Sequence, residues 1–260
     1  MNIPFPPEEM RRLVGPVAES EYDNPGGEPI LRDLPPEAWD QVVDFGCGCG
    51  RIARKLIQQN PRPRRYLGLD LHPGMIRWCR SHLQSLAPGF EFVHQDVRNI
   101  GLNPDGTLDQ ERFPVADGSA SLLLAWSVFT HLLPPQAEFY LGEVARTLRP
   151  DGIAVLTFFL FEKRDFPMMQ SFQNALFINP EDPTNAVIFD RDWLLARFRA
   201  HDLKVVAAER PGVRGFQWLL RIAPETSPLP AVALPADDAD FGSVPAPLLP
   251  HDAARIGLDD

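Results

Sequence analysis

The residues best suited to chemistry in this 260-residue chain are the glycines between Asp44 and Gly50. They belong to the run VVDFGCGCG, residues 42–50, in which glycine alternates with cysteine directly after an apolar stretch. Glycine permits positive φ and lets a ligand approach the main chain closely. The apolar spacing of residues 52–57 predicts a helix that opens after the loop, with free amides at its start. The run therefore predicts a binding loop for a ligand with an anionic group.

The spacing of the glycines distinguishes between kinds of nucleotide loop. A dinucleotide-binding loop needs G-x-G-x-x-G, and neither register, starting at Gly46 or at Gly48, supplies the third glycine. A phosphate-binding loop needs G-x-x-x-x-G-K followed by Ser or Thr, and the sequence has no such run. Both of these nucleotide classes are excluded.

Two acids follow the loop at the ends of the next two predicted strands. Asp70 ends the strand-like run from Arg65, twenty residues after Gly50, and Asp96 follows the run Phe90–Val93. An acid at the end of the second strand can accept both ribose hydroxyl hydrogens. Either acid alone could be a helix cap. Together, in this order behind the loop, they predict a ligand that carries a nucleoside.

The pattern D-x-G-x-G-x-G resembles the first motif of class I S-adenosylmethionine-dependent methyltransferases. Residues 122–158, LLLAWSVFTHLLPPQAEFYLGEVARTLRPDGIAVLTF, are similar to the fourth strand, the following helix and the L-R-P-x-G turn of many bacterial small-molecule members. The resemblance covers about residues 41–223. It implies S-adenosylmethionine as cofactor, bound by Asp44, Gly46, Cys47, Gly48, Gly50, Asp70, Leu71, Met75, Asp96, Val97, Trp126 and Ser127.

Roles within this cofactor set also follow from the resemblance. Asp96 would contact the adenine amino group, with Leu71 and Met75 packed near the adenine. Trp126 and Ser127 would line the methionine side.

His131 is the candidate general base, because it follows the fourth predicted strand and histidine titrates near neutral pH. A base is needed only if the acceptor is a hydroxyl or a protonated amine. The alternative is a histidine that caps or packs ahead of the helix at Pro134. The fourth strand lacks the D/N-P-P-Y/F motif, which argues against methylation of adenine or glutamine amino groups.

The elements around these residues predict an α/β fold. Seven strand-like runs alternate with helical patterns, which indicates a Rossmann-like, mostly parallel, seven-stranded sheet flanked by helices, with an antiparallel last strand. The runs are Val42–Phe45, Arg65–Asp70, Phe90–Val93, Ser121–Trp126, Ile153–Leu160, Lys204–Ala208 and Gln217–Ile222.

Three further segments complete the predicted organisation. Residues 1–40 form an N-terminal segment that covers the cofactor site, in which residues 22–24 fold over the cofactor. Residues 161–189 interrupt the methyltransferase domain at 41–223 as a lid or substrate-binding insertion, whose aromatic and methionine residues are either an apolar substrate cover or an inserted core helix. Residues 224–260, rich in Pro, Ala and Asp, are predicted to be a flexible tail.

The composition of the chain limits the kinds of partner that we expect the protein to bind. A net charge of −10 and the absence of a basic face argue against nucleic acid. No apolar run reaches the roughly 20 residues of a spanning helix, and no secretory signal is visible, so we expect a cytoplasmic protein without membrane contact. The three cysteines lack metal-site spacing and are read as reduced thiols in a tight turn, and no metal is expected.

These observations lead to a methyltransferase that acts on oxygen or nitrogen of a small metabolite, as a monomer or homodimer. Two alternatives stay open. One is methylation of a protein, which an acidic chain permits. The other is a catalytically silent cofactor-binding module, since the loop and the acids bind rather than react.

Overall fold

The computed structural model describes residues 3–212 and 216–235, and these form two compact units that divide after Leu108. Most of the predicted tail, from residue 236 onward, lies outside the described residues. Within the described residues, no helix combines the length and the apolarity that a membrane span requires.

The first unit is built on three parallel strands. The second strand along the chain lies between the other two and pairs with both of them. In this pairing Asp44, Gly68 and Phe92 are direct neighbours across the three strands. The elements are α1 (Glu8–Val14), β1 (Gln41–Phe45), α2 (Arg51–Gln58), β2 (Arg65–Asp70), α3 (Pro73–His82) and β3 (Phe90–His94).

Local sequence explains where the helices of this unit begin. Helix α2 starts at Arg51 because Gly50 adopts a left-handed conformation and turns the chain out of the loop. Helix α3 starts at Pro73, a favoured first residue, and the Nδ1 atom of His72 accepts hydrogen bonds from the amides of Gly74 and Met75. His72 is therefore the cap of α3.

A buried arginine of α2 anchors the N-terminal segment within the first unit. Arg54 donates to the carbonyls of Ile3 at 3.0 Å and Tyr22 at 2.9 Å. It also pairs with the Asp23 carboxylate at 2.6 Å, and its guanidinium lies 3.7 Å above the Phe5 ring centre. These contacts of a buried guanidinium fix the segment to α2, because breaking one of the hydrogen bonds would leave a buried donor unsatisfied.

The second unit contains the remaining six strands. Strand β5 pairs with β4 in parallel and with β9 in antiparallel orientation, and β9 pairs antiparallel with β8. The elements are β4 (Ala120–Ala125), α4 (Pro134–Thr147), β5 (Leu148–Phe161), β6 (Ala175–Phe177), β7 (Val187–Asp190), α5 (Arg191–Ala200), β8 (Leu203–Glu209) and β9 (Trp218–Pro224).

The predicted fold class is confirmed. The seven predicted strands correspond to β1 to β5, β8 and β9, mostly parallel, flanked by helices and with an antiparallel last strand, and β6 and β7 are two short additional strands. The strands β4 and β5 are almost wholly buried, which explains why they read as continuous apolar runs.

Strand β5 begins five residues earlier than the predicted Ile153. Its register with β4 jumps between the pairs Ala120–Leu148 and Leu122–Ile153, so residues 149–152 form an irregular bulge in the strand. Pro150 cannot donate a ladder hydrogen bond, which accounts for the break. The turn predicted from R-P-D-G is thus an interruption within a strand.

The insertion at residues 161–189 holds no α-helix, so an inserted core helix is wrong. It contains β6 and β7, which pair antiparallel, and β7 runs parallel to the end of β5. These two strands have the sequences ALF and VIFD. Runs of three and four residues are too short to predict as strands from the sequence. Met168 and Phe172 are 88% and 77% exposed.

Candidate functional site

The glycine loop has the backbone that its sequence predicts. Gly46, Gly48 and Gly50 all have positive φ, at 80°, 54° and 82°. The amides of Gly46 and Cys47 both donate to the carbonyl of Leu69 in β2, at 2.8 and 2.9 Å. This ties the loop to the end of the neighbouring strand. The loop is therefore a defined turn, set directly before α2.

A side chain at Gly50 would have no room. A Cβ atom there would lie 2.5 Å from Cδ1 of Leu83 and 3.1 Å from Sγ of Cys79. Left-handed backbone adds a separate cost for any residue with a Cβ. The glycine is thus required by conformation and by packing together.

Asp70 connects the glycine loop to the start of α3. Its Oδ2 accepts from the amide of Gly48 at 2.8 Å, and its Oδ1 accepts from the amide of His72 at 2.7 Å. Burial raises the carboxyl pKa, and the two amide hydrogen bonds oppose that rise. Each carboxylate oxygen keeps a further lone pair. Asp70 can therefore hold both loops and still accept hydrogens from a ligand.

The third acid is half-buried at the end of β3. Asp96 accepts a hydrogen bond from the hydroxyl of Thr107, and this bond lowers the carboxyl pKa. Next to it Val97 is buried and forms an isolated bridge with Leu108. The Nε2 atom of His94 lies 2.9 Å from the carbonyl oxygen of Leu71, so His94 has a structural contact.

Asp44 is the most deeply buried acid of the set, with 1% of its surface exposed. The hydroxyl of Tyr66 donates to its Oδ2 at 2.6 Å. Burial raises the pKa of Asp44 from 3.8 to about 7, although the Tyr66 hydrogen bond acts in the opposite direction. A buried carboxyl with this pKa changes its charge near neutral pH.

The three cysteines are free thiols and line the inner side of the loop. The Sγ atoms of Cys47 and Cys79 lie 3.7 and 3.6 Å from the carbonyl oxygen of Gly48. Cys47 also occupies the space beside Gly68, where a Cβ would come within 2.9 Å of its sulfur. Burial raises the pKa of both thiols, which keeps them protonated. Their reading as packing groups in a tight turn fits these contacts.

Met75 packs with the N-terminal segment. It is 1% exposed and clusters with Tyr22 and Cys49, and the side chain of Val14 lies against this group. A Cβ at Gly48 would lie 2.7 Å from Cγ1 of Val14. Helix α1 therefore contacts the glycine loop directly. The adenine-side role of Met75 stays a prediction.

Trp126 and Ser127 belong to the second unit, where they directly follow β4. Ser127 has a φ of 55°, a strained conformation for a residue with a side chain. Its amide donates to the hydroxyl of Thr157 at 2.8 Å, and its own hydroxyl bonds the side-chain amide of Gln217 at 3.0 Å. Strain of this kind is frequent at functional positions.

His131 ends a short 3-10 turn, Phe129–His131, and its side chain is exposed. Its Nδ1 lies 2.9 Å from the carbonyl oxygen of Thr184 in the insertion. A carbonyl only accepts, so the neutral ring carries its hydrogen on Nδ1. That leaves Nε2 with a lone pair. His131 is thus oriented by the insertion in the tautomer that a base requires.

Tyr66 and Thr184 are the partners that sequence reasoning missed. Tyr66 stands opposite Val42 in the register, so its ring reaches diagonally to Asp44, two residues further along β1. The missing side chain of Gly68 leaves space on that face. The strand alignment was the available signal, but the register of β1 and β2 is not readable from one sequence.

Among the residues at 3–212 and 216–235, no group of histidine, cysteine and acidic side chains is placed to hold a metal ion. The parallel strands, with the glycine loop after the first and the acids after the next two, have the arrangement that is typical of Rossmann-like nucleotide-binding folds.

Comparison with known proteins relates part of the chain to methyltransferases. The profile of a methyltransferase domain matches residues 42–152. The chain is 33% identical over 117 residues to a fatty-acid O-methyltransferase of Mycolicibacterium smegmatis, covering 45% of this chain and 36% of that protein. It is 34% identical over 123 residues to a trans-aconitate 2-methyltransferase of Methylobacterium nodulans, covering 47% and 40%.

A more distant relative and a solved structure extend the comparison. A tRNA N(3)-cytidine methyltransferase of Gallus gallus is 24% identical over 142 residues, covering 54% of this chain and 33% of that protein. The crystal structure of a methyltransferase from Aquifex aeolicus shares the fold, with a TM-score of 0.52 and 14% identity over 84% of this chain and 98% of that one.

Within residues 42–152 this chain is therefore similar to methyltransferases. The matched part spans 33–40% of the length of these three curated relatives.

Proposed function

We propose that the protein transfers the methyl group of S-adenosylmethionine to an oxygen or nitrogen atom of a small metabolite. The arrangement of Asp70 is the observation that carries this proposal. A carboxylate at the end of β2 that also holds the amide of Gly48 is set to accept ribose hydroxyl hydrogens beside the loop. The cofactor supplies an activated methyl group on a sulfonium, so positioning of the acceptor contributes much of the rate.

Other residues of the first unit complete the proposed cofactor site. Gly46, Cys47, Gly48 and Gly50 offer main chain without bulky side chains, and Asp96 is the acceptor for the adenine amino group. Leu71, Met75 and Val97 are the proposed apolar contacts. The contact of α1 with the glycine loop supports an N-terminal segment, residues 1–40, that covers the site. Trp126 and Ser127 keep their predicted role as contacts to the methionine part.

A small acceptor is favoured by three observations. Two of the relatives are named for O-methylation of a fatty acid and for methylation of trans-aconitate, both small carboxylic acids. The net charge of −10 opposes binding of a polyanion, which counts against the tRNA acceptor in the third relative's name. The exposed Met168 and Phe172 offer apolar surface on the insertion. We also expect the protein to act in the cytoplasm.

The experiment that tests this proposal is titration calorimetry with S-adenosylhomocysteine. We expect binding with a 1:1 stoichiometry. Tritium transfer from labelled S-adenosylmethionine to small carboxylic acids, to a basic peptide and to tRNA then tests the acceptor class. Absence of binding would refute the cofactor assignment. Binding with transfer only to the peptide would support the protein methyltransferase alternative, and binding without transfer the silent module.

His131 is the proposed general base, because its Nε2 is the nitrogen left free by the Thr184 hydrogen bond. We expect His131→Ala to lower turnover by about 10²- to 10⁴-fold while the affinity for S-adenosylhomocysteine changes less than twofold. Methyl transfer and calorimetry on the same preparation measure both. His201→Ala, at a partly buried histidine paired with Glu138, is the matched control and should retain turnover. Unchanged turnover in His131→Ala would remove this residue from the mechanism.

A further inference from the structure

The turn after β4 contains a strained residue that two other segments hold in place. Pairing of β4 with β5 ends at Ala125–Leu156, and the chain then leaves the sheet with Ser127 at a φ of 55°. A left-handed backbone is unfavourable for a residue with a Cβ atom, so this conformation needs support from outside the turn. The function proposed so far gives no role to the residues that provide this support.

Thr157 in β5 holds the main chain of Ser127. It is the only polar residue in the run IAVLTFFLF, residues 153–161, and it is almost fully buried. Its Oγ1 accepts a hydrogen bond from the amide of Ser127 at 2.8 Å. A buried hydroxyl is unfavourable in an apolar strand unless it forms a hydrogen bond. The bond to Ser127 therefore satisfies the hydroxyl of Thr157 and also fixes the turn to β5, just beyond the last pair of β4 with β5.

Gln217 holds the side chain of the same serine. It directly precedes β9 and lies 90 positions further along the chain. The Oε1 and Nε2 atoms of its amide are 3.0 and 2.9 Å from Oγ of Ser127. A hydroxyl can donate to the amide oxygen or accept from the amide nitrogen. The main chain and the side chain of Ser127 are thus bonded to different segments, so a rotation of this residue breaks at least one hydrogen bond.

The fixed turn is also the start of the segment that ends at His131. Phe129 is fully buried, and its ring centre lies 4.9 Å from that of Phe158. The amide of His131 donates to the carbonyl of Val128 at 2.8 Å. These contacts leave few free rotations between Ser127 and His131. A change in the backbone of Ser127 would therefore displace His131 as well.

We propose that Thr157 and Gln217 are positioning residues, which keep Ser127 in its left-handed conformation and thereby orient residues 126–131 for methyl transfer. This inference rests on the proposed function, because the segment meets a cofactor and an acceptor only in a methyltransferase of the proposed kind. Neither of the two side chains needs to touch a ligand, since both act through the turn.

The first experiment compares turnover and cofactor affinity in two variants of Thr157. Thr157→Val keeps the shape of the side chain and removes the acceptor of the Ser127 amide. We expect it to lower kcat for the small carboxylic acid that accepts tritium by about tenfold or more, because small displacements of reacting groups are costly. Its affinity for S-adenosylhomocysteine, measured by calorimetry, should fall about threefold. Thr157→Ser keeps the hydroxyl and should restore both values to within about twofold.

A second background separates positioning from packing. Glycine adopts positive φ at no steric cost, so in Ser127→Gly the turn needs less support from Thr157. The loss of kcat and of affinity on Thr157→Val should therefore be at least about threefold smaller in the Ser127→Gly background. Gln217→Leu, at a half-buried position, tests the same turn if Thr157→Val does not fold, and we expect losses in the same direction.

A control variant removes the same kind of strain elsewhere. Asp202, in the turn between α5 and β8, has a φ of 53° and is the other residue besides glycine with positive φ in the part of the chain that the structure describes. Asp202→Gly should leave kcat and affinity for S-adenosylhomocysteine unchanged. A thermal melt of every variant shows that each is folded at the assay temperature.

The outcomes separate this inference from the proposed function. Unchanged kcat and affinity in Thr157→Val overturn the inference, and so do equal losses in both backgrounds, which would show that Thr157 acts through the packing of β5. If the unsubstituted protein binds S-adenosylhomocysteine and transfers no methyl group, the same comparison of affinities decides. Absence of binding to the unsubstituted protein refutes the proposed function itself.

Discussion

Replacement of Asp70 by Asn is expected to weaken binding of S-adenosylhomocysteine by about a hundredfold or more. The carboxylate accepts one backbone amide on each oxygen, from Gly48 and from His72. Asparagine has only one acceptor oxygen, so its NH₂ group must face one of these two donor amides without forming a hydrogen bond. The same substitution removes one of the oxygens proposed to accept a ribose hydroxyl hydrogen. Hydrogen bonds to charged groups contribute about 1.5 to 3 kcal/mol each, and a loss near 3 kcal/mol is about a hundredfold in affinity.

A matched variant distinguishes a binding role from a folding role. Asp190 uses its carboxylate in the same way, since its two oxygens accept the amides of Lys163 and Trp193 at the start of α5. We expect Asp190→Asn to lower the melting temperature about as much as Asp70→Asn, and to leave cofactor affinity nearly unchanged. Calorimetry and thermal unfolding of both variants measure this. Equal affinity losses in the two would show that Asp70 acts through stability alone.

The second large effect is a gain in stability: Asp44→Asn is expected to stabilise the ligand-free protein at alkaline pH. The pKa of Asp44 rises from 3.8 to about 7 on folding. The folded state therefore holds the proton more tightly, and stability falls as pH rises from about 4 to 7, then stays reduced above 7. An asparagine still accepts from Tyr66 and has no charge to bury. The gain above pH 7 is as much as about 4 kcal/mol.

The pH dependence of this gain is its test. Denaturant unfolding at pH 5.5 and pH 8.5 should show a gain about 2 kcal/mol larger at the higher pH. Asp23→Asn is a control of opposite sign, because its hydrogen bond from Arg54 lowers the carboxyl pKa. That variant should be less stable than the unsubstituted protein by a similar amount at both pH values. A loss of stability in Asp44→Asn at pH 8.5 would contradict the prediction.

These predictions depend on features that the sequence revealed to different degrees. The fold class, the glycine loop and the order of Asp44, Asp70 and Asp96 were readable because each depends on local chemistry. Positive φ requires glycine, and strand ends are marked by the switch from apolar run to polar residue. The resemblance to methyltransferases likewise rests on these local motifs, and the profile match at residues 42–152 agrees with it.

The structure of the insertion could not be predicted from the sequence, because it depends on contacts between segments that are distant in the chain. Its strands β6 and β7 are three and four residues long, and such short runs acquire their structure only from pairing with β5 and with each other. The orientation of His131 by the carbonyl of Thr184, 53 positions away, is likewise a consequence of that folding. Neither has a periodic pattern in the sequence.

By itself, the sequence determined the class of fold, the loop and the acids that mark a nucleoside site, because these depend on the conformational limits of glycine and on the alternation of strands and helices. Only the tertiary structure decided how those acids are held. It placed two backbone amides on Asp70 and the Tyr66 hydroxyl on Asp44, and it buried Asp44 with no ion-pair partner among the residues that the structure describes. Burial and the pairing of strands in register set the charge of such groups, and both arise only when distant segments meet.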